Sequence, residues 1–183
     1  MAAQGRLLEL LRTRSLRVGD FVLASGRRST YYIDCRLTTM HAEGLALIGA
    51  LGLEAIRARG WAADSVGGLT LGADPVAYAI AAASFASPPQ IQAFTVRKTA
   101  KTHGTGKRIE GCFERGARVV VVEDVITTGG SARDAIAAAR GEGGQVLGVL
   151  AVVDRGEGGM ESIAQDGVPV HALVHVDNLL RGP

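Results

Sequence analysis

Two stretches of the chain concentrate residue types that handle anions and sugars. In the first, Glu123 and Asp124 follow four valines, and Val125, Ile126, Thr127, Thr128, Gly129, Gly130 and Ser131 lead into an alanine-rich segment at 132–140. A glycine-rich turn that opens a helix offers free backbone N–H groups and the positive end of the helix dipole, the ordinary means of holding a phosphate. The three hydroxyls add donors. The two acids repel phosphate, so they must face sugar hydroxyls, a magnesium ion or developing positive charge; a sugar phosphate satisfies both halves. A capped helix start would explain Thr127 to Ser131 without any ligand, because Ser and Thr favour that position, but it leaves the paired acids unexplained. No Lys-Ser or Lys-Thr follows the glycines, so the stretch is not a Walker P-loop.

The second stretch is RKTAKTHGTGKRIEG at 97–111. All three lysines of the chain, Lys98, Lys101 and Lys107, fall here, although arginine is the chain's usual cation. Arg97 to Arg108 holds five cations and no acid, with Gly104 and Gly106 giving backbone freedom. The pattern reads as a mobile basic flap that closes over an anion, with His103 as a phosphate contact or proton donor. A solvated charged loop is the plainer alternative. A nucleic-acid patch fits less well, because no aromatic residues are interleaved. His171 and His175 lie four apart on a strand-like segment, which puts them on one face without making a metal site.

Both stretches need a scaffold, and the hydrophobic pattern supplies one. Apolar spacing predicts helices near Leu7 to Leu11 and at 42–58, with FVLASG and STYYID forming a hairpin between them around Gly-Arg-Arg. Short apolar strands at 64–67, 91–96, 118–122, 146–153 and 170–174 then alternate with helical segments at 74–86, 131–140 and 160–165. Continuous rather than alternating hydrophobicity in such strands implies a parallel sheet covered on both faces. The expected fold is therefore α/β, doubly wound, with a mainly parallel sheet flanked by helices and a small N-terminal helix and hairpin hood at 1–40. In such sheets ligands sit beyond the carboxyl ends of the strands, which gathers 67–73, 97–111, 123–131 and 154–156 around one crevice.

Composition narrows the classes. At 183 residues the chain reads as one domain. A net charge of +2 gives no global signal for nucleic acid or an anionic membrane. Cys35 and Cys112 are far apart, which argues against a disulfide scaffold or structural zinc and fits a reducing cytoplasm. The N-terminus resembles an amphipathic helix more than a signal peptide, and no apolar run reaches the ~18–20 residues needed to cross a bilayer.

The residues then resemble a known family. EDVITTGGSA after the valines is similar to the phosphoribosyl-pyrophosphate (PRPP) motif of type I phosphoribosyltransferases, and Arg97, Lys98, Lys101, His103 and Gly104 match the RKxxKxHG pattern of orotate phosphoribosyltransferases. FVLASGRRSTYYID looks like that family's hairpin over the base site, and VVDRGEGG at 152–159 like its segment carrying an orotate-binding arginine. The resemblance implies transfer of ribose 5-phosphate from PRPP to orotate, giving orotidine 5′-monophosphate and pyrophosphate in pyrimidine synthesis. It implies Mg²⁺ held mainly by PRPP rather than by the protein. PRPP would be bound by Arg97, Lys98, Lys101, His103 and the run from Glu123 to Ser131, with Lys101, His103 and Asp124 catalytic. Orotate would meet Arg155, Thr127 and the main chain around Tyr31 and Tyr32. The resemblance also implies a homodimer whose basic loop reaches the neighbouring subunit's site.

Two departures stand out. Ala24 and Leu71 occupy positions where many members carry lysine. The loop at 67–73 is still expected to bind pyrophosphate through backbone N–H groups, with a strained peptide at Thr70-Leu71. A phosphoribosyltransferase for another nucleobase and a non-catalytic PRPP-sensing regulator remain the alternatives; the first would not need Arg155, and the second would carry an added nucleic-acid-binding domain or basic face.

Overall fold

The structure is a computed structural model that describes residues 2–22, 26, 28–99 and 108–181. Helix α1 (Ala2–Leu10) runs into a π-helical turn (Leu11–Ser15), then an antiparallel pair of strands, β1 (Leu16–Val22) and β2 (Arg28–Ile33), and a short helix α2 (Arg36–Thr39). Helix α3 (Ala42–Ala58) follows, and from there strands and helices alternate: β3 (Ser65–Leu69), α4 (Ala73–Ala86), β4 (Gln92–Val96), β5 (Ile109–Gly111), β6 (Arg118–Ile126), α5 (Gly130–Gly141), β7 (Gln145–Asp154), α6 (Gly159–Gln165), β8 (Val170–His175) and α7 (Val176–Leu180).

Six of these strands form one sheet in the order β5-β4-β3-β6-β7-β8. Every pairing in it is parallel except that of β5 with β4. The fold is thus the α/β sheet that the hydrophobic runs predict. The reason is visible in β6: Val120 and Val122 pack in one core layer with Ile48 and Ile56 of α3 and Val76 and Ile80 of α4, while Val119 and Val121 pack in the other with Ala135 and Ile136 of α5 and Ile163 of α6. A strand buried on both faces has no polar side to alternate with.

Three local expectations are corrected. The first hairpin strand begins at Leu16, five residues ahead of FVLASG, because Leu16 to Val18 pair with Ile33 to Tyr31 before an irregularity between Val18 and Phe21. Glu123 and Asp124 lie within β6 rather than after it, since β6 continues beside β7 as far as Ile126 opposite Asp154. Strand β5 has no counterpart in the sequence reading; three residues are too few for a hydrophobic period to register.

Candidate active site at the carboxyl ends of the strands

The alternation within β6 slips at the acids. Val119 to Val122 alternate between the layers, but Val125 packs with the α3/α4 layer and Ile126 with the α5/α6 layer, the reverse of what strict alternation requires. Asp124 stabilises the slip by accepting the Val125 N–H at 2.9 Å. Neighbouring β7 slips in step, with Leu150, Val152 and Val153 all in the α3/α4 layer. The exchange puts the Ile126 side chain in the α5/α6 core layer, while the β6–β7 pairing keeps its register through the acids.

After β6 the chain turns through Gly129, whose φ of 84° is left-handed and suits glycine. Helix α5 then starts without any side-chain cap. Thr127, Thr128 and Ser131 therefore do not serve as a cap, and the first N–H groups of α5 are left without a side-chain partner. Glu123, Val125, Ile126, Thr127 and residues 129–132 line a concave pocket around this helix end. The turn is braced from the side by the segment before α6: a Cβ at Gly159 would lie 2.3 Å from the Thr127 carbonyl oxygen, so only glycine permits that backbone contact.

Glu123 is buried and Asp124 half-buried at this end of the strand. Burial first, then the negative charge of Asp124, pushes the Glu123 carboxyl up to about 8. One of its oxygens, Oε2, is buried without a hydrogen-bond partner. Burial also raises Asp124, against the opposing bond from the Val125 N–H. A Cβ at Gly72 would sit 2.4 Å from Asp124 Oδ1, so the loop after β3 brings its backbone directly onto this carboxylate. The Thr70–Leu71 peptide bond in that loop, where the sequence suggested a strained peptide, is cis. Asp74 anchors the loop by accepting hydroxyl bonds from Thr70 at 2.6 Å and from Thr95 of β4 at 2.9 Å.

The described ends of the basic stretch pair with each other. The Arg97 N–H donates to the Arg108 carbonyl at 2.9 Å, continuing the β4–β5 ladder, and Arg108 binds Asp134 of α5 at 2.7 Å. Arg97 lies 3.7 Å from Glu110, and Lys98 is exposed. Lys101 and His103 lie outside the described residues, as does Ala24; Leu71 is exposed beside the cis peptide.

Arg155 follows β7 and donates its own N–H to the Ile126 carbonyl at 3.0 Å, so it is tied to the end of β6. Its side chain is buried, with Nη2 3.0 Å from Glu157 and the guanidinium 5.0 Å from the centre of the Tyr31 ring. Sequence reasoning assigned Tyr31 only main-chain contact and did not single out Glu157. The geometry brings the Tyr31 ring onto the cation, while Tyr32 turns to the other side of its strand and pairs with Phe21 at 5.8 Å. His175, on β8, faces Asp154 at 3.5 Å, and His171 contacts Arg59.

A second hollow opens at the opposite end of the sheet between Arg57, Trp61, Asp64, Pro89 and Arg118. Its cations are committed to the fold: Arg118 to Asp64 at 2.7 Å and Arg57 to the Ser87 hydroxyl at 2.7 Å. The strand-end cleft is where uncommitted donors, the paired acids and glycine backbone meet.

No protein-family model matches the chain. Among curated proteins, the orotate phosphoribosyltransferase of Aquifex aeolicus is 46% identical over 183 residues, spanning 98% of this chain and 99% of the relative. Among solved structures, Mycobacterium tuberculosis orotate phosphoribosyltransferase in complex with Fe(III) dicitrate superposes with a TM-score of 0.87 at 45% identity, covering 97% of this chain and 98% of the other. The same enzyme in complex with PRPP gives a TM-score of 0.83 at 42% identity, covering 98% and 99%. Likeness of this depth, over nearly the full length of both partners and on the same strand-end architecture, establishes that the chain belongs to the orotate phosphoribosyltransferase family.

Proposed function

We propose that the protein transfers the 5-phosphoribosyl group of PRPP to orotate, giving orotidine 5′-monophosphate and pyrophosphate in pyrimidine biosynthesis. The observation that carries this reading is the attachment of buried Arg155 to the end of β6 through its backbone bond to Ile126, which sets a carboxylate-binding cation beside an uncapped, hydroxyl-rich helix start. An arginine suits the planar carboxylate of orotate because its donors match two oxygens at once.

The N–H groups and hydroxyls from Thr127 to Ser131 bind the 5-phosphate. Val125 and Ile126 contribute backbone only, since the Ile126 side chain is in the core. Glu123 and Asp124 take the ribose hydroxyls, and Asp124 favours the cationic sugar that forms as pyrophosphate leaves; preorganised charge of this kind is commonly the largest catalytic term. The backbone of the loop after β3 and the cations Arg97, Lys98, Lys101 and His103 receive the pyrophosphate. Closure of the basic loop excludes water that would otherwise capture the sugar. Mg²⁺ would be held mainly by the oxygens of PRPP rather than by the protein. When bound there, the ion would add positive charge beside the pyrophosphate that the basic residues receive.

Two copies of the chain form a homodimer in which the basic loop serves the partner's site. Leu71, Tyr78 and Phe85 support this: they are exposed, apolar and seven residues apart, the latter two forming a stripe on α4. No described helix is long and apolar enough to cross a membrane. Free Cys35 and exposed free Cys112 suit a reducing cytoplasm.

The test is consumption of orotate, followed by ultraviolet absorbance, with PRPP and Mg²⁺ and with adenine, guanine, xanthine and uracil in parallel. Turnover of orotate alone is the expected outcome. Turnover of a different base would remove Arg155 from its role, and tight PRPP binding without turnover would favour the sensor.

A further inference from the structure

Arg155 is only partly used by the fold. Its side chain is 8% exposed, Glu157 Oε1 engages Nη2 at 3.0 Å, and the Tyr31 ring lies 5.0 Å from the guanidinium carbon. Nε is buried and has no hydrogen-bond partner. A buried guanidinium N–H left unpaired is unfavourable, so this edge marks where an acceptor from outside the protein belongs.

Glu157 and Tyr31 together restrain the other parts of the group. A guanidinium on a long, flexible stem can turn its donor edge in several directions; an ion pair on one nitrogen and a ring over one face leave it one orientation. The loop carrying Glu157 is itself held, because Asp154 Oδ1 accepts the Gly156 N–H at 2.9 Å. His175 braces the same turn. Its Nδ1 accepts the Asp177 N–H at 3.2 Å, and its Nε2 faces Asp154 at 3.5 Å.

We infer that Glu157 is a positioning residue for the base: it holds Arg155 against Tyr31 so that the guanidinium N–H groups the fold leaves unpaired are kept for the orotate carboxylate, and in doing so it sets the preference for a carboxylated pyrimidine over an uncharged one. The inference rests on the orotate reading above. Glu157 leaves donors for the substrate, because a guanidinium has five N–H groups and Glu157 engages Nη2 while the buried Nε has no partner.

The experiment measures kcat and KM for orotate at saturating PRPP, KM for PRPP, and the rate with uracil, in the unaltered protein, Glu157→Ala and Glu157→Gln, with melting curves for each. Glu157→Ala is expected to raise the KM for orotate about tenfold, the scale of one lost charge-assisted contact. Its kcat and its KM for PRPP should stay within about twofold, the signature of lost ground-state binding alone. Glu157→Gln keeps an acceptor at the same reach and should recover most of the loss, which a merely structural defect would not do. An orotate KM that is unchanged or falls in Glu157→Ala overturns the inference, the fall meaning that Glu157 opposes the substrate. If Glu157→Ala does not fold, Glu157→Asp, which keeps the charge but shortens the reach, replaces it; an unchanged orotate KM there overturns the inference equally. Absence of orotate turnover in the unaltered protein overturns the proposed function and this inference with it, whereas turnover with unchanged variant KM overturns only the inference.

Discussion

At neutral pH the buried Glu123 carboxyl holds a proton that the unfolded chain has already released, because burial and Asp124 raise it from 4.5 to about 8. The folded state binds the extra proton throughout that window, so this residue's contribution to stability falls as pH rises from 4.5 to about 8 and is level above it. Glu123→Gln is therefore expected to melt higher than the unaltered protein at pH 8.5, by on the order of 5 °C, with little gain at pH 4. An equal gain at both values would remove the proton from the account. A site residue that weakens its own fold is expected where a carboxylate is kept buried for a ligand. At this scale the sequence carried much of the candidate site. Glu123-Asp124 and the hydroxyls and glycines after them are legible because they are out of keeping with the apolar strand before them, whereas Arg155 was reached only through the family resemblance. Glu157 and the Tyr31 ring were not legible as partners of Arg155, since a tyrosine in a strand and an acid in a loop have ordinary explanations and no sequence spacing joins residue 31 to residue 155.

The elements turn those residues into a cleft by close backbone approach. Gly72 has φ −63° and ψ −41°, which any residue adopts, so its need for glycine comes from Asp124 and not from its own conformation. Gly72→Ala pushes a methyl group to within 2.4 Å of Asp124 Oδ1 and must displace the carboxylate or the loop. We expect kcat/KM to fall about a hundredfold, the usual consequence of misplacing a catalytic group by about 1 Å, with a stability loss of about 1–3 kcal/mol. Steady-state kinetics and a denaturant melt check both, and full activity would mean that the loop and Asp124 do not act together. Helix and strand positions in the sheet were legible from hydrophobic runs; α3 at Ala42–Ala58 matches its apolar period at both ends. The slip in β6 at Asp124 was not, because the sequence there reads as continued strand, and the face exchange appears only when Val125 and Ile126 are seen in opposite layers.

For the whole molecule, the proposal that the basic loop serves the partner subunit's site has a direct consequence. Lys101→Ala and Asp124→Asn proteins, each of low kcat alone, should regain activity when mixed and allowed to exchange subunits, because one of the two sites in the mixed dimer then has both an intact loop and an intact acid. Up to about a quarter of full activity is expected from statistical exchange, with sedimentation reporting the dimer. No recovery after demonstrated exchange would confine the loop to its own subunit.

The sequence by itself determined the sheet class and the family. Buried parallel strands must be apolar throughout, and a phosphate turn must carry glycine and hydroxyls, so both leave marks within a few consecutive residues. Only the tertiary structure decided that the Tyr31 ring and Glu157 restrain Arg155, that Gly72 abuts Asp124, and that α5 begins uncapped. These are contacts between segments far apart in the chain, or bonds that a capping residue is free to make or not. Residue order constrains them only through the packing of the whole fold.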